Sequence, residues 1–259
     1  MKVKDVMTKD IITIDKDENL KQVLHLMKKH EITKIPVLEE KELVGLVTDN
    51  IIAYKLGSIR KKGVPPSRLH ASSVTDKNIE CVNPETEVKT ILEKVGEPGP
   101  TMLCVTENTK LLGVITKADL LPLVKSKKPV KEIANKKIIT VSSDDRVIHA
   151  RRIMIDQNIA RLPVLKDGRL VGIISDNEIA FALADLKSSF PLGRQKHHLE
   201  ELLVEDVMKK TVIWVQPNVS ASEAASIMLK NNIGMLPLIE NEKIIGVISR
   251  TDLLKIISL

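Results

Sequence analysis

Apolar residues fall at helical spacing in four places along the chain. Leu20, Val23, Leu24 and Met27 stand at i, i+3, i+4 and i+7, which predicts one buried face of a helix. Val88, Ile91, Leu92 and Val95 repeat the pattern. Val147, Ala150 and Met154 carry it again, and so do Ala221, Ala224, Ala225 and Met228. Arg151 is the one break in these stripes. A β-branched run precedes each helix: Ile11 to Ile14, Ile79 to Val82, Ile138 to Val141, and Val212 to Val215. Two short apolar runs follow each helix, joined by the polar turns 39–42, 107–110, 166–168 and 240–243. A final helix starts directly after the second run. Each group therefore predicts the order β-α-β-β-α, an α/β (α+β) fold.

The groups are copies of one unit. Gly-Leu-Val-Thr at Gly45 returns as Gly-Val-Ile-Thr at Gly113, Gly-Ile-Ile-Ser at Gly172 and Gly-Val-Ile-Ser at Gly246. Nine residues before these glycines lie Pro36, Cys104, Pro163 and Pro237. Eighteen before lie Met27, Val95, Met154 and Met228. Thirty-eight before lie Met7, Thr75, Ala134 and Met208, two of them in an identical Asp-Val-Met. Identical offsets mean one structural unit used four times. The repeats read as 1–57, 71–125, 130–186 and 203–259. The linkers, about 57–70, 125–130 and 187–202, are richer in Gly, Pro, Lys and Arg. A unit of roughly 55 residues is marginal alone, so pairing is expected, with 1–125 and 130–259 as the two modules.

Composition narrows the class. The chain has 259 residues, 43% apolar and 29% charged, with mean hydropathy near zero, which excludes bulk disorder. Only Tyr54, Phe181, Phe190 and Trp214 are aromatic, too few for a base-stacking platform. Cys81 and Cys104 make no disulfide framework, and no apolar run approaches the roughly 18–20 residues of a membrane span. The start is polar, without the apolar stretch of a signal peptide. These features together predict a cytoplasmic chain. Abundant Lys, Glu and Ile lean towards a thermophile. The formal net charge of +6 favours anionic partners. The sequence lacks G-x-S-x-G, G-x-x-x-x-G-K-[ST], H-E-x-x-H and G-x-G-x-x-G, so no enzyme is predicted.

Chemistry concentrates at the end of the glycine strand. Thr48, Thr116, Ser175 and Ser249 each end a strand and precede a helix. A helix start with free N–H groups suits a phosphate, a carboxylate three residues on accepts from ribose hydroxyls, and a neighbouring base adds charge. The same Ser/Thr-x-x-Asp/Glu pattern is also a capping box, and the two roles coexist. Thr116-Lys117-Ala118-Asp119 and Ser249-Arg250-Thr251-Asp252 are complete. Ser175-Asp176-Asn177-Glu178 has a longer acid, and Thr48-Asp49-Asn50-Ile51 has none at the third position.

The four-fold pattern resembles the cystathionine-β-synthase (CBS) domain family over nearly the whole chain. The resemblance rests on Asp-Val-Met, the helix, the Ile-Pro-Val or Leu-Pro-Val strand, and Gly-h-h-[Thr/Ser]-x-x-Asp, where h is apolar. It implies two Bateman modules packed in a flat disk, as in the γ subunit of AMP-activated protein kinase. It implies regulatory binding of AMP, ADP or ATP, or alternatively S-adenosylmethionine or methylthioadenosine, in clefts between paired repeats. Carried over by motif, one cleft takes Thr116, Lys117 and Asp119 with Ile32, Thr33 and Lys34, and Ile12 at its base. The other takes Ser249, Arg250 and Asp252 with Ile159, Ala160 and Arg161, and Ile139 at its base. Two good sites are expected, one per module. Glu97-Pro98-Gly99-Pro100 is expected to shape the cleft beside it. A partner protein, a homodimer of disks, and nucleic acid held by the basic linkers are the partners this reading allows.

Overall fold

A computed structural model describes residues 1–57, 64–98, 101–190 and 192–257. Arg60, Lys61 and Lys62 of the first basic linker, and Gly99-Pro100, lie outside the described residues.

Each repeat follows the predicted order. In the first, the helix Leu20–Lys29 leads to the strands Lys34–Glu39 and Glu42–Thr48, then the helix Asp49–Leu56. The predicted faces are the buried ones: Leu20, Val23, Leu24 and Met27 in the first repeat, and Ala221, Ala224, Ala225 and Met228 in the fourth. Two-residue turns join the antiparallel strands. Three of them carry positive φ at both central residues: Glu40-Lys41, Asp167-Gly168 and Asn241-Glu242. That geometry matches the twist of a hairpin. Each hairpin shifts register at the same place, after Val37, Val105, Val164 and Leu238.

The first strand is shorter than its β-branched run predicts. Only Ile14–Asp15, Cys81–Val82 and Val141–Ser142 pair as strands, each parallel to the hairpin. In the fourth repeat only Val215 bridges to Leu238. β-branching favours extension, but a ladder needs a partner that the other residues of the run do not meet. Cys104 is buried while Cys81, its register partner, is exposed. Part of the third linker is helical. Leu192–Glu201 is a helix, and the helix before it runs on to Ser189.

Repeats pair in two ways. The strand Glu42–Thr48 packs against Lys110–Thr116, and Arg169–Ser175 against Lys243–Ser249. These contacts join the first repeat to the second and the third to the fourth. The closing helices make the other joins. Asp49–Leu56 packs against Asp176–Ser189, and Lys117–Leu120 against Arg250–Leu254. Two apolar cores result, one shared by the odd repeats and one by the even repeats. Arg151, the break in the apolar stripe, spans the odd join. Its Nη2 donates to the Tyr54 carbonyl at 3.3 Å, and its guanidinium lies 5.8 Å from the centre of the Tyr54 ring.

The leading segment of each repeat is exchanged within a module. Val3–Val6 belongs to the first repeat by sequence, yet Thr8 pairs with Val114 and Val3 is buried in the even core. In return Ala71–Val74 packs into the odd core, and Asp76 pairs with Leu46. The second module repeats this, with Asn135 on Val247 and Lys209 on Ile173. These crossings explain the repeated glycines. A Cβ on Gly45 would stand 2.0 Å from Thr75 Cγ2 and 2.7 Å from the Asp76 carbonyl oxygen. On Gly113 it would stand 2.6 Å from Met7 Sδ and 2.9 Å from the Thr8 oxygen. The glycine leaves room for a crossing chain.

Candidate functional site

The two joins bring the ends of all four glycine strands to one place. There they border a continuous cavity of about 2030 Å³ lined by all four repeats. Ile32, Thr33, Lys34, Thr116, Lys117, Asp119, Ile139, Ile159, Ala160, Arg161, Ser249, Arg250 and Asp252 all line it. Ile12 does not, although its counterparts Ile139 and Ile213 do. Separate clefts were expected; they open into a common centre.

The capping boxes form. Asp119 Oδ2 accepts from the Thr116 N–H and hydroxyl, both at 2.7 Å. Asp252 Oδ2 accepts from the Ser249 N–H at 2.8 Å and its hydroxyl at 2.6 Å. Glu178 takes the same two donors from Ser175, so the longer acid caps as well. In the first repeat, where Ile51 replaces the acid, Thr48 Oγ1 accepts from the Ile51 N–H at 3.2 Å. The second aspartate has one more partner. Thr8, on the exchanged segment, donates to Asp119 Oδ1 at 2.6 Å.

The helix starts themselves are weaker anion sites than expected. Lys117–Leu120 has four residues and Arg250–Leu254 five, too short to sum many peptide dipoles. The first helical N–H is also already bonded in three repeats. Asp49 donates to the Thr33 carbonyl, Asp176 to the Ala160 carbonyl and Arg250 to the Gly234 carbonyl.

Positive charge comes instead from side chains. Lys34, Lys117, Arg161 and Arg250, one from each repeat, line the same cavity. Burial pushes the Lys34 ammonium down to about 8, against the pull of Asp49, with Arg161 and Arg250 adding repulsion. Burial also pushes Lys117 down to about 8, and Lys34 and Arg161 press on it further. Arg250 falls to about 10 through burial and Arg161. Lys34, Lys117 and Arg250 thus each feel bases of other repeats. Several are held in place. Lys117 Nζ donates to Thr251 Oγ1 at 2.7 Å and to the Glu97 carbonyl, so the segment before Gly99 does touch the site. Arg250 Nε donates to the Ile233 carbonyl at 3.1 Å. The Arg161 guanidinium lies where a Cβ on Gly234 would come within 2.9 Å.

Sequence reasoning missed Asp49 and Asp176. Both are buried and line the cavity. They occupy the position that Lys117 and Arg250 fill in the even repeats. Acid after the helix-start hydroxyl in odd repeats, and base in even repeats, was the available signal.

Protein MJ1404 of Methanocaldococcus jannaschii is 26% identical over 273 residues, 99% of this chain and 62% of that protein. The chain thus spans less than two thirds of that relative. Protein MJ1225 of the same organism is 24% identical over 275 residues, 98% of this chain and 97% of that protein. Its crystal structure matches with a TM-score of 0.84 at 21% identity, covering 100% of both chains. The inosine-5'-monophosphate dehydrogenase of Korarchaeum cryptofilum is 32% identical over 131 residues, 50% of this chain and 24% of the enzyme. The CBS domain family matches residues 3–57, 71–126, 130–185 and 204–259. The chain belongs to the CBS domain family.

Proposed function

We propose that this chain is a regulatory sensor of an adenosyl nucleotide, AMP, ADP or ATP, and that it passes occupancy to a partner protein. One observation carries the reading: four bases from four repeats converge beside two complete Thr/Ser-x-x-Asp sites. In each site the aspartate accepts from ribose hydroxyls. Lys34 with Lys117, and Arg161 with Arg250, take the phosphate. Ile139 and its neighbours give the base an apolar seat. The structure of MJ1225 is described as that of a proposed archaeal homologue of γ-AMPK, and the shared fold fits this role. A sulfonium ligand such as S-adenosylmethionine suits the cationic centre less well than a phosphate does.

The test is thermal shift of nucleotide-stripped protein against AMP, ADP, ATP, S-adenosylmethionine and methylthioadenosine. A ligand at about 100 times its Kd stabilises by about 2.7 kcal/mol. Asp119→Ala and Asp252→Ala should each weaken binding by about 1–3 kcal/mol. A flat panel overturns the reading.

A second reading has its own observation. Lys125, Lys127, Lys128, Lys131, Lys136 and Lys137 are all exposed, and exposed lysines suit a nucleic-acid backbone. Such binding falls steeply between about 50 and 200 mM salt.

A further inference from the structure

Asp49 and Asp176 are the same position in the first and third repeats. The helices they begin pack against each other, so both residues stand at the odd join. Asp49 is 8% exposed and Asp176 6%, and both border the cavity. Asn50 ties them together. Its Nδ2 donates to Asp176 Oδ2 at 3.3 Å, and its N–H donates to Asp49 Oδ1 at 2.9 Å.

The charged groups that act most on the pair come from the two odd repeats. Lys34, Arg161 and Glu178 act on Asp49. Asp49, Arg161 and Arg151 act on Asp176. Two buried carboxyls bridged by one asparagine do not both ionise cheaply. The cations that offset them, Lys34 and Arg161, are also cations of the proposed anion site. A phosphate seated among the four bases draws on the same positive charge and adds negative charge beside the pair. A proton on one carboxyl removes the conflict.

We propose that Asp49 and Asp176 act as a proton-holding pair, and that seating an anionic group among Lys34, Lys117, Arg161 and Arg250 is accompanied by proton uptake at these two carboxyls. The proton comes from solvent and sits on one carboxyl oxygen; no other bond changes. The proposal rests on the reading of the centre as an anion site, not on which anion occupies it. Burial, and then Asp49, hold Asp176 up at about 7. Burial raises Asp49 as well. The exchange therefore falls in the neutral range.

The test is a carboxyl-carbon NMR titration of the full chain from about pH 5 to pH 9, where ordinary aspartates no longer titrate. It is run with no addition, with AMP and with sulfate, which does not titrate in this range. The expected result is a step near neutral pH that Asp176→Asn removes and that either anion moves upward. Carboxyls that both titrate in the ordinary aspartate range overturn the proposal. So does a step that stays in place while amide shifts show an anion bound. If AMP fails to bind, ADP and ATP take its place; if all three fail, the nucleotide reading falls, and sulfate alone decides the coupling. If no nucleotide and no sulfate binds, both fall.

Discussion

The hydroxyl of Thr8 donates a 2.6 Å hydrogen bond to Oδ1 of Asp119, a residue from the other repeat of its module. Asp119 Oδ2 is already filled by Thr116. A ribose hydroxyl that needs this carboxylate therefore competes with Thr8 for Oδ1. Asn135 holds the place of Thr8 in the second module, and its Oδ1 accepts from the Lys137 N–H instead. The fourth-repeat site should thus bind the more tightly of the two. In an Asp252→Ala background, Thr8→Val should tighten AMP binding by about 1 kcal/mol. Calorimetric titration reads this directly, and weaker binding would mean that Thr8 holds the ligand rather than competing with it.

The glycines of the four repeats should differ in their tolerance of a methyl group. A Cβ meets atoms at 2.0 and 2.7 Å on Gly45 and at 2.6 and 2.9 Å on Gly113, but nothing closer than 3.3 Å on Gly246. Gly45→Ala and Gly113→Ala should each cost about 1–3 kcal/mol through overpacking. Gly246→Ala should cost less. Urea midpoints of the three variants test the order.

Val3 sits near the chain start but is buried in the even core. Terminal residues are commonly frayed, so a cost at this position reports the exchange of leading segments. Val3→Ala should lower stability by about 1–3 kcal/mol, within the range for core truncations. A thermal midpoint equal to that of the parent would show that the segment is not docked in solution.

The buried acids give stability a definite pH dependence. Asp176 is held at about 7 in the fold, above its ordinary 3.8. Its proton is therefore bound more tightly folded than unfolded. Stability from this source is full at low pH and falls as pH rises through about 7. The loss runs from about pH 3.8 to about 7, so Asp176→Asn should match the parent near pH 3.5 and exceed it in thermal midpoint near pH 8. Equal midpoints at both values would place the carboxyl in ordinary solvent.

The repeat unit was legible because it is local. Helical faces such as Leu20, Val23, Leu24 and Met27 need only spacing, and the turn Glu40-Lys41 only polarity between apolar runs. The paired Thr116–Asp119 and Ser249–Asp252 were legible too, since a capping box spans one turn of chain. What was hidden depends on partners far along the chain. Gly45 reads as part of a ligand motif until Asp76 is seen crossing it. Ile11 to Ile14 reads as a strand, but the ladder holds only Ile14 and Asp15. Asp49 and Asp176 look like solvated helix starts until the odd helices bury them against each other. Arg151 looks like a flaw in an apolar stripe and proves to be a link between repeats.

The exchanged leading segments impose a parity on the chain. Each repeat completes its partner and is completed by it, so neither is whole when cut out singly. Growth or loss by one unit would leave one sheet uncovered and one segment without a seat, and the nearest remedy would be a second molecule. Architectures made from this unit should therefore count in twos, whether the two halves lie in one chain or in two.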